Sequence, residues 1–110
     1  MKSEAAIMKE IQLAIGGRKD VRIWRNSVGE AYSPDGRRFR WGLCKGSADL
    51  IGFKIDRVAV FVAIEVKAEK GRLTKEQRQF LSVVAAAGGL AGVARSVEDA
   101  ERIIGGERLL

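Results

Sequence analysis

Histidine is absent from the 110 residues of this chain. The absence excludes Ser-His triads, histidine metal sites and histidine general bases, including those of nucleases that use a catalytic histidine. Any chemistry must therefore come from carboxylates and lysine, with or without a hard cation.

Cysteine and long apolar runs are also scarce. The one cysteine, Cys44, cannot form an internal disulfide, so a reducing intracellular setting is expected. The longest apolar run, Val58 to Ile64, has seven residues, whereas a membrane span needs roughly 18. We expect no secretory leader, and hence a cytoplasmic protein of a bacterial or phage-infected cell with no membrane partner.

The chain does contain enough apolar material for one core. Hydrophobic residues make up 46% of it, and a length of 110 residues suits a single domain, which we place at residues 1–110. Twenty basic residues against fourteen acidic ones give a net charge of +6, and five of these six charges fall between Arg18 and Lys45. Such a region suits a nucleic-acid partner, although an ordinary soluble surface would also account for the net charge.

Three segments have helical patterns, and each starts with a capping serine or threonine and stops before a Gly-Gly pair. They are residues 3–15, 74–87 and 96–104. In the first, Glu4 lies at the centre of an apolar stripe and is predicted to point inward. In the second, Thr74 and Gln77 match a capping box.

Strand-like patterns occupy most of the remainder. They are Val21–Arg25, Arg37–Leu43, Asp49–Lys54, Val58–Lys67 and Leu90–Ala94. The third and fourth are predicted to pair antiparallel, and the crossover through the second helix implies a parallel pairing of the fourth and fifth. The predicted fold class is α/β, a mixed β-sheet flanked by helices in the order α-β-β-β-α-β-α, with three or four strands before the second helix.

The end of the fourth strand carries the candidate chemistry. Its apolar run predicts a strand covered on both faces, and it ends in Glu65 and Lys67, which share one face roughly 6.6 Å apart. The preceding hairpin returns Asp49 to the neighbourhood of Glu65, and the inward Glu4 is predicted to join them. Two carboxylates with the backbone carbonyl of Val66 would suit Mg²⁺, and Lys67 would position water or neutralise charge.

This arrangement resembles the PD-(D/E)xK nuclease superfamily and, more narrowly, the virus-type replication-repair nuclease (VRR-NUC) family of stand-alone, single-domain type. The matching segments are SEAAI (3–7), RNSVG (25–29), KGSADLIG (45–52), IEVKA (64–68), KGRLTKEQ (70–77), GVARS (92–96) and Glu98-Asp99. One departure is Ala48, where the family often has proline before the metal-binding aspartate. That proline shapes a turn and binds no metal.

The resemblance implies a restriction-endonuclease-like fold and a catalytic set of Glu4, Asp49, Glu65 and Lys67, supported by Gln77. It implies metal binding by Asp49, Glu65, Val66 and Glu4, with Mg²⁺ as the cofactor, Mn²⁺ as a substitute and no small-molecule cofactor. Single-domain members look like homodimeric resolvases of four-way (Holliday) DNA junctions, so the implied partners are branched DNA and a second copy of the chain.

Basic residues near these elements are candidate phosphate contacts. They are Arg25, Arg37, Arg38, Arg40, Lys45, Lys70, Arg72 and Lys75. By contrast, Asp35 lies in a Pro-Asp-Gly turn and is interpreted as a turn residue rather than a ligand. The aromatics Trp24, Phe39 and Trp41 are predicted to pack in the core or at an interface rather than to stack on bases.

The function predicted from these observations is Mg²⁺-dependent, structure-specific endonucleolytic cleavage of DNA. Two alternatives stay open: a nuclease for flaps, nicks, ends or RNA, and a non-catalytic nucleic-acid-binding module with the same fold. For single residues, Glu65 and Lys67 could be a structural ion pair, Asp49 an ordinary strand-start residue, Glu4 a first-turn acid and Gln77 a capping residue.

Overall fold

A computed structural model describes every residue from Met1 to Leu110 and contains three helices and six strands. In chain order they are α1 (Glu4–Gly16), β1 (Val21–Arg25), β2 (Gly29–Tyr32), β3 (Arg38–Trp41), β4 (Leu50–Asp56), β5 (Val58–Val66), α2 (Lys75–Ala86), β6 (Leu90–Ala94) and α3 (Val97–Ile104). None of the three helices has the length and hydrophobicity needed to cross a lipid bilayer.

The central sheet has the strand order β1-β4-β5-β6. Strand β4 pairs antiparallel with β1 and β5, and β6 pairs parallel with β5. Both predicted pairings are confirmed, and the sheet is mixed as expected. Strands β2 and β3 form a separate two-stranded ribbon around the Pro34-Asp-Gly turn. Five strands therefore precede α2, rather than three or four, because β2 is short and mostly exposed and so lacks an apolar alternation.

Side chains cap all three helices as predicted, through Ser3, Thr74 and Ser96. The Gly-Gly pairs behave differently from one another. Gly88 and Gly106 follow α2 and α3 with φ of 99° and 104°, the left-handed conformation expected after a helix end. Gly17 caps α1 with φ of −80°, so the first pair ends its helix without a left-handed glycine.

The core forms two layers, one on each face of the sheet. Helices α1 and α3 pack over the face that carries Val62, Ile64 and Val66. Helix α2 packs over the opposite face, where Leu81 and Ala63 belong to a smaller buried cluster. Because side chains alternate along β5, Glu65 projects on the α2 side of the sheet. This alternation decides which helix can contribute to a site built around Glu65.

Only half of β5 is covered on both faces. Residues Val62 to Val66 are buried, but Val58 and Phe61 are 68% and 42% exposed. The prediction of a strand covered along its whole length is therefore wrong for its first half. The flanking helices pack against the half of the strand that contains Glu65. The continuous apolar run therefore predicts more burial than the strand has.

Candidate active site

The Asp49 and Glu65 carboxyl groups meet at one end of the sheet. Asp49 immediately precedes β4, and the pairing of Leu50 with Ile64 places it opposite Glu65. The backbone N–H of Asp49 donates to Oε1 of Glu65 at 3.2 Å, and the N–H of Val66 donates to Oδ2 of Asp49 at 2.9 Å. The predicted return of Asp49 to Glu65 is confirmed.

Glu65 is a buried acid in an unfavourable electrostatic setting. Only 2% of the residue is exposed. Desolvation and, next, the charge of Asp49 raise the pKa of the Glu65 carboxyl from 4.5 to about 8. Lys67 opposes the shift, because its Nζ lies 3.6 Å from Oε2 of Glu65. Lys67 alone therefore does not balance the charge of Asp49 and Glu65 when both acids are ionised, and Arg25 is the cation that lines their pocket.

Lys67 is held beside Glu65 by the strand and by the loop that follows. Its side chain is 13% exposed, and its backbone N–H donates to the carbonyl of Ala94 at 3.1 Å. A Cβ at Gly71 would lie 3.3 Å from Cβ and Cδ of Lys67. Glycine at position 71 therefore leaves room for the lysine stem, a role that the sequence pattern did not reveal.

The two carboxyl groups lie in a pocket of about 220 Å³ that is lined almost entirely by polar residues. The polar and charged side chains lining it are Arg25, Asn26, Ser27, Ser47, Asp49, Glu65 and Gln77. They come from the end of β1, the loop before β4, the end of β5 and the first turn of α2. Residues far apart in the sequence therefore line one polar cleft.

Gln77 closes the capping box of α2 and also lies at the carboxyl pocket, and its supporting role in catalysis stays a prediction. Its Oε1 accepts the backbone N–H of Thr74 at 2.9 Å, and Oγ1 of Thr74 accepts the N–H of Gln77 at 3.1 Å, which closes the capping box. Gln77 also lines the pocket that contains Asp49 and Glu65. The cap uses the amide oxygen, and the Nε2 group makes no hydrogen bond within the chain.

Asn26 fastens the loop that carries Asp49. It is 8% exposed, and its Nδ2 donates to Oγ of Ser47 at 2.8 Å and to the carbonyl of Ala48 at 2.9 Å. Its Oδ1 accepts the N–H of Leu43 at 3.2 Å, and its own N–H donates to the carbonyl of Asp49 at 2.7 Å. Sequence reasoning gave Asn26 no physical role. The available clue was a single amide side chain directly after a strand.

Glu4 does not join the carboxyl pair. It lies in the first turn of α1 and is exposed, and no three acidic or cysteine side chains come together as a metal site. The predicted inward orientation and convergence on Asp49 and Glu65 are therefore wrong for this structure. The physical reason is the alternation of β5: α1 packs on the Ile64 face, whereas Glu65 projects from the other face.

Comparison with protein-family models matches the VRR-NUC domain over residues 3–98. The match covers most of the chain and includes Asp49, Glu65, Lys67 and Gln77. The chain belongs to the VRR-NUC family. This membership places it among nucleases and agrees with the α/β, restriction-endonuclease-like arrangement of its sheet and helices. Comparisons with curated proteins and with solved structures give no match.

The basic side chains predicted to contact phosphates in this VRR-NUC domain differ in whether they form salt bridges within the chain. Arg25 lines the carboxyl pocket, and Lys70, Arg72 and Lys75 are exposed around the start of α2 without a salt bridge. On the β2–β3 ribbon, Arg40 also forms no salt bridge. Three of the candidates have acidic partners, in the pairs Arg37–Asp35, Arg38–Glu30 and Lys45–Glu76.

Asp35 lies at the tip of the ribbon of the VRR-NUC domain, far from β5 in the sheet topology. Its carboxyl group accepts a hydrogen bond from the Ser33 hydroxyl, which lowers the pKa of Asp35 below its usual value. It does not line the carboxyl pocket. The interpretation of Asp35 as a turn residue agrees with this geometry.

Three aromatic residues of the VRR-NUC domain, one on β1 and two on the ribbon, are not core residues. Trp24, Phe39 and Trp41 are 56%, 52% and 48% exposed. Of the two predicted locations, core or interface, the core is wrong, because Phe39 and Trp41 lie on a ribbon separate from the central sheet and Trp24 lies on the edge strand β1. An interface role for these side chains stays a prediction.

Proposed function

We propose that this VRR-NUC domain is a metal-dependent endonuclease that hydrolyses phosphodiester bonds in DNA. The observation that carries the proposal is the meeting of the partly buried Asp49 with the buried Glu65 in a pocket open to solvent, with Lys67 beside Glu65. A purely structural ion pair with Lys67 would need only one carboxyl group, whereas two carboxyl groups meet here. The second carboxyl group raises the electrostatic energy and supports a functional reading of the site.

The residues present fit a hard divalent cation. Asp49 and Glu65 supply oxygen ligands, and their excess negative charge over Lys67 favours a cation between them. We propose Mg²⁺, with Mn²⁺ able to substitute, and with the carbonyl of Val66 as a further ligand. Such an ion would polarise the phosphate and stabilise the leaving oxygen. Glu4 is not included as a ligand, because the structure does not bring it to the pair.

Side chains of the protein can orient the attacking water, stabilise charge on the phosphate and hold the DNA backbone. Lys67, held 3.6 Å from Glu65, presents an ammonium group that can orient a water molecule or stabilise charge on the phosphate. Gln77 offers its Nε2 group to the same pocket, and Arg25 at the rim can hold a neighbouring phosphate. The Asn26 network holds Asp49 in place and so maintains the geometry of the pair.

DNA is proposed as the substrate because one arginine lines the pocket and further basic side chains are exposed before and at the start of α2 and on the ribbon. Arg25 lies on its rim, Lys70, Arg72 and Lys75 lie around the start of α2, and the ribbon carries Arg37, Arg38 and Arg40. Contacts of this kind position a sugar-phosphate backbone without reading its sequence. Recognition by branch shape is consistent with such contacts.

The decisive experiment compares Glu65→Ala and Lys67→Ala with the wild-type chain. The nuclease proposal expects loss of metal-dependent cleavage with retained DNA binding. The second candidate, a non-catalytic binding module, expects no metal-dependent cleavage in any of the three proteins. Four-way, flap, nicked and linear DNA, and RNA, each incubated with and without Mg²⁺, would also separate an endonuclease for junctions from one for flaps, nicks or ends.

For the substrate geometry, we propose that the domain acts as a homodimeric resolvase of four-way junctions. Support comes from the resemblance of this chain to single-domain VRR-NUC members, and a two-fold axis would suit paired cuts in a symmetric junction. Analytical ultracentrifugation at micromolar concentration tests the dimer. A monomer there, or faster cleavage of flaps than of junctions, would contradict the resolvase proposal and leave the nuclease proposal intact.

A further inference from the structure

A second pocket, which is lined by basic side chains, lies on the other side of α2 from the carboxyl pair. It has a volume of about 620 Å³, and its floor includes Val93 of β6. The C-terminal segment forms one wall: Leu109 bridges to Gly92 in parallel, and the carbonyl of Leu109 accepts the N–H of Val93 at 2.7 Å. This pairing covers the outer edge of β6 and brings Arg108 to the rim.

Five guanidinium groups line this arginine pocket, and one acidic side chain accompanies them. The arginines are Arg72, Arg78, Arg95, Arg102 and Arg108, and the acid is Asp99. Only Arg102 forms salt bridges, with Asp99 at 3.5 Å and with Glu107 at 2.8 Å. Four arginines therefore lack a carboxylate partner. Converging cations repel one another unless an anion lies between them.

Two of the arginines are held in place by backbone carbonyls. Nη1 of Arg95 donates to the carbonyls of Ala68 and Gly71, each at 2.7 Å. Nη2 of Arg108 donates to the carbonyl of Ala85 at 3.0 Å. Each of these guanidinium groups keeps its other N–H donors for a ligand. Planar, pre-positioned guanidinium donors match the geometry of phosphate oxygens.

The arginine pocket and the carboxyl pocket share no lining residue, yet they are neighbours across the first turn of α2. Gln77 lines the carboxyl pocket and the next residue, Arg78, lines the arginine pocket. Arg102 and Arg108 also lie beyond the residues that match the family model, which end at position 98. These arginines therefore do not follow from the family match.

We propose that the arginine pocket binds phosphate groups of the nucleic-acid backbone outside the cleavage centre. The inference rests on the proposed function for the identity of the polyanion. The volume is about twenty times the share of one water in the liquid, so the pocket has room for more than a single phosphate. A backbone held there can continue around the start of α2 to the carboxyl pair, which gives the strand two separate points of attachment.

The test uses Arg78→Gln and the double variant Arg72→Gln/Arg78→Gln, because neither side chain makes a hydrogen bond or salt bridge within the chain. Arg57→Gln is the matched control. Arg57 lies between β4 and β5, at the end of the sheet opposite the pocket. Thermal melting of all three variants checks that they fold.

Binding of duplex and four-way DNA is measured by fluorescence anisotropy in EDTA over a series of salt concentrations, so that cleavage plays no part. The slope of the logarithm of the binding constant against the logarithm of the salt concentration is expected to fall in magnitude by about 0.9 for each lost phosphate contact. The affinity for DNA is expected to fall as well. The Arg57→Gln control is expected to match wild type. Slopes for both pocket variants equal to that of the control would overturn the proposal.

Inorganic triphosphate separates nucleic acid from a small phosphate ligand. Competition between triphosphate and DNA in wild type, lost in the double variant, supports the proposal. If triphosphate binding depends on Arg78 but the salt dependence of DNA binding does not change, the proposal is overturned. The pocket would then bind a small anion instead of nucleic acid. If the slopes change but no condition gives cleavage, the pocket assignment stands and the nuclease proposal fails, so the two failures are distinguishable.

Discussion

The backbone N–H of Asp49 donates a hydrogen bond to the carboxyl group of Glu65 at 3.2 Å, while the two side chains repel each other when both are ionised. The hydrogen bond holds the ends of β4 and β5 together. The repulsion remains unless a proton or a cation neutralises it. This relationship makes both the stability and the proposed activity of the domain depend on pH.

The metal-free protein is expected to lose stability as the pH rises from about 4.5 to about 8. Burial and Asp49 raise the folded-state pKa of Glu65 above its unfolded value of 4.5. The native state therefore binds more protons across this window, and its free energy of unfolding falls as the proton is lost. Urea unfolding at several pH values, with Glu65→Gln for comparison, measures this difference. A wild-type curve as flat as that of Glu65→Gln would contradict the prediction.

Binding of Mg²⁺ or Mn²⁺ near neutral pH is expected to release protons. With a pKa of about 8, most of the Glu65 carboxyl is protonated at pH 7, and a carboxylate ligand must be ionised. Calorimetric titrations in buffers of different ionisation enthalpy would show an apparent binding enthalpy that varies with the buffer. In Glu65→Gln the proton release should disappear. An enthalpy independent of the buffer in wild type would count against the predicted protonation state.

Lys67→Met is expected to abolish most cleavage while DNA binding is retained. The substitution removes the ammonium group 3.6 Å from Glu65 and keeps an unbranched stem of similar length. Loss of one group that stabilises developing charge lowers the rate by roughly 10²–10³-fold. Single-turnover cleavage measures the effect, with Lys19→Met at an exposed site as the control. Equal rates for the two variants would exclude a catalytic role for Lys67.

Asn26→Ala is expected to lower the free energy of unfolding by about 1–3 kcal/mol, because buried partners in the loop before β4 lose their hydrogen bonds. Cleavage should fall as well, since the loop carries Asp49. Gln12→Ala, which removes an exposed amide side chain on α1, is the control. Denaturant unfolding and cleavage assays measure the two effects. Wild-type stability in Asn26→Ala would show that the network does not hold the loop.

Gly46→Ala should be more destabilising than Gly36→Ala, although both glycines have φ of 86°. Each substitution brings the strain of a left-handed alanine, on the order of 1 kcal/mol. At position 46 the new Cβ would also lie 2.6 Å from backbone atoms of Glu76, whereas at position 36 nothing lies within 4 Å. A comparison of melting temperatures isolates the contact between the loop and α2. Equal decreases in melting temperature would mean that the loop around position 46 moves away from α2 at no cost in stability.

Local patterns in the sequence determined most of the fold. Capping residues marked the starts of all three helices, and the spacing of Glu65 and Lys67 placed them on one face of a strand. The hairpin also predicted the meeting of Asp49 with Glu65. These features depend on neighbours along the chain or on one short turn, so periodicity and turn chemistry are sufficient to predict them.

Only the tertiary structure decided which face of β5 each helix covers. Glu4 shares the apolar stripe of α1, but α1 packs against the Ile64 face, so the helix pattern alone could not place its acid relative to Glu65. The Asn26 network and the arginine pocket likewise join residues separated by twenty or more positions. Helical and strand periodicity give the direction of a side chain relative to its own element. Its partners depend on how the elements pack against one another.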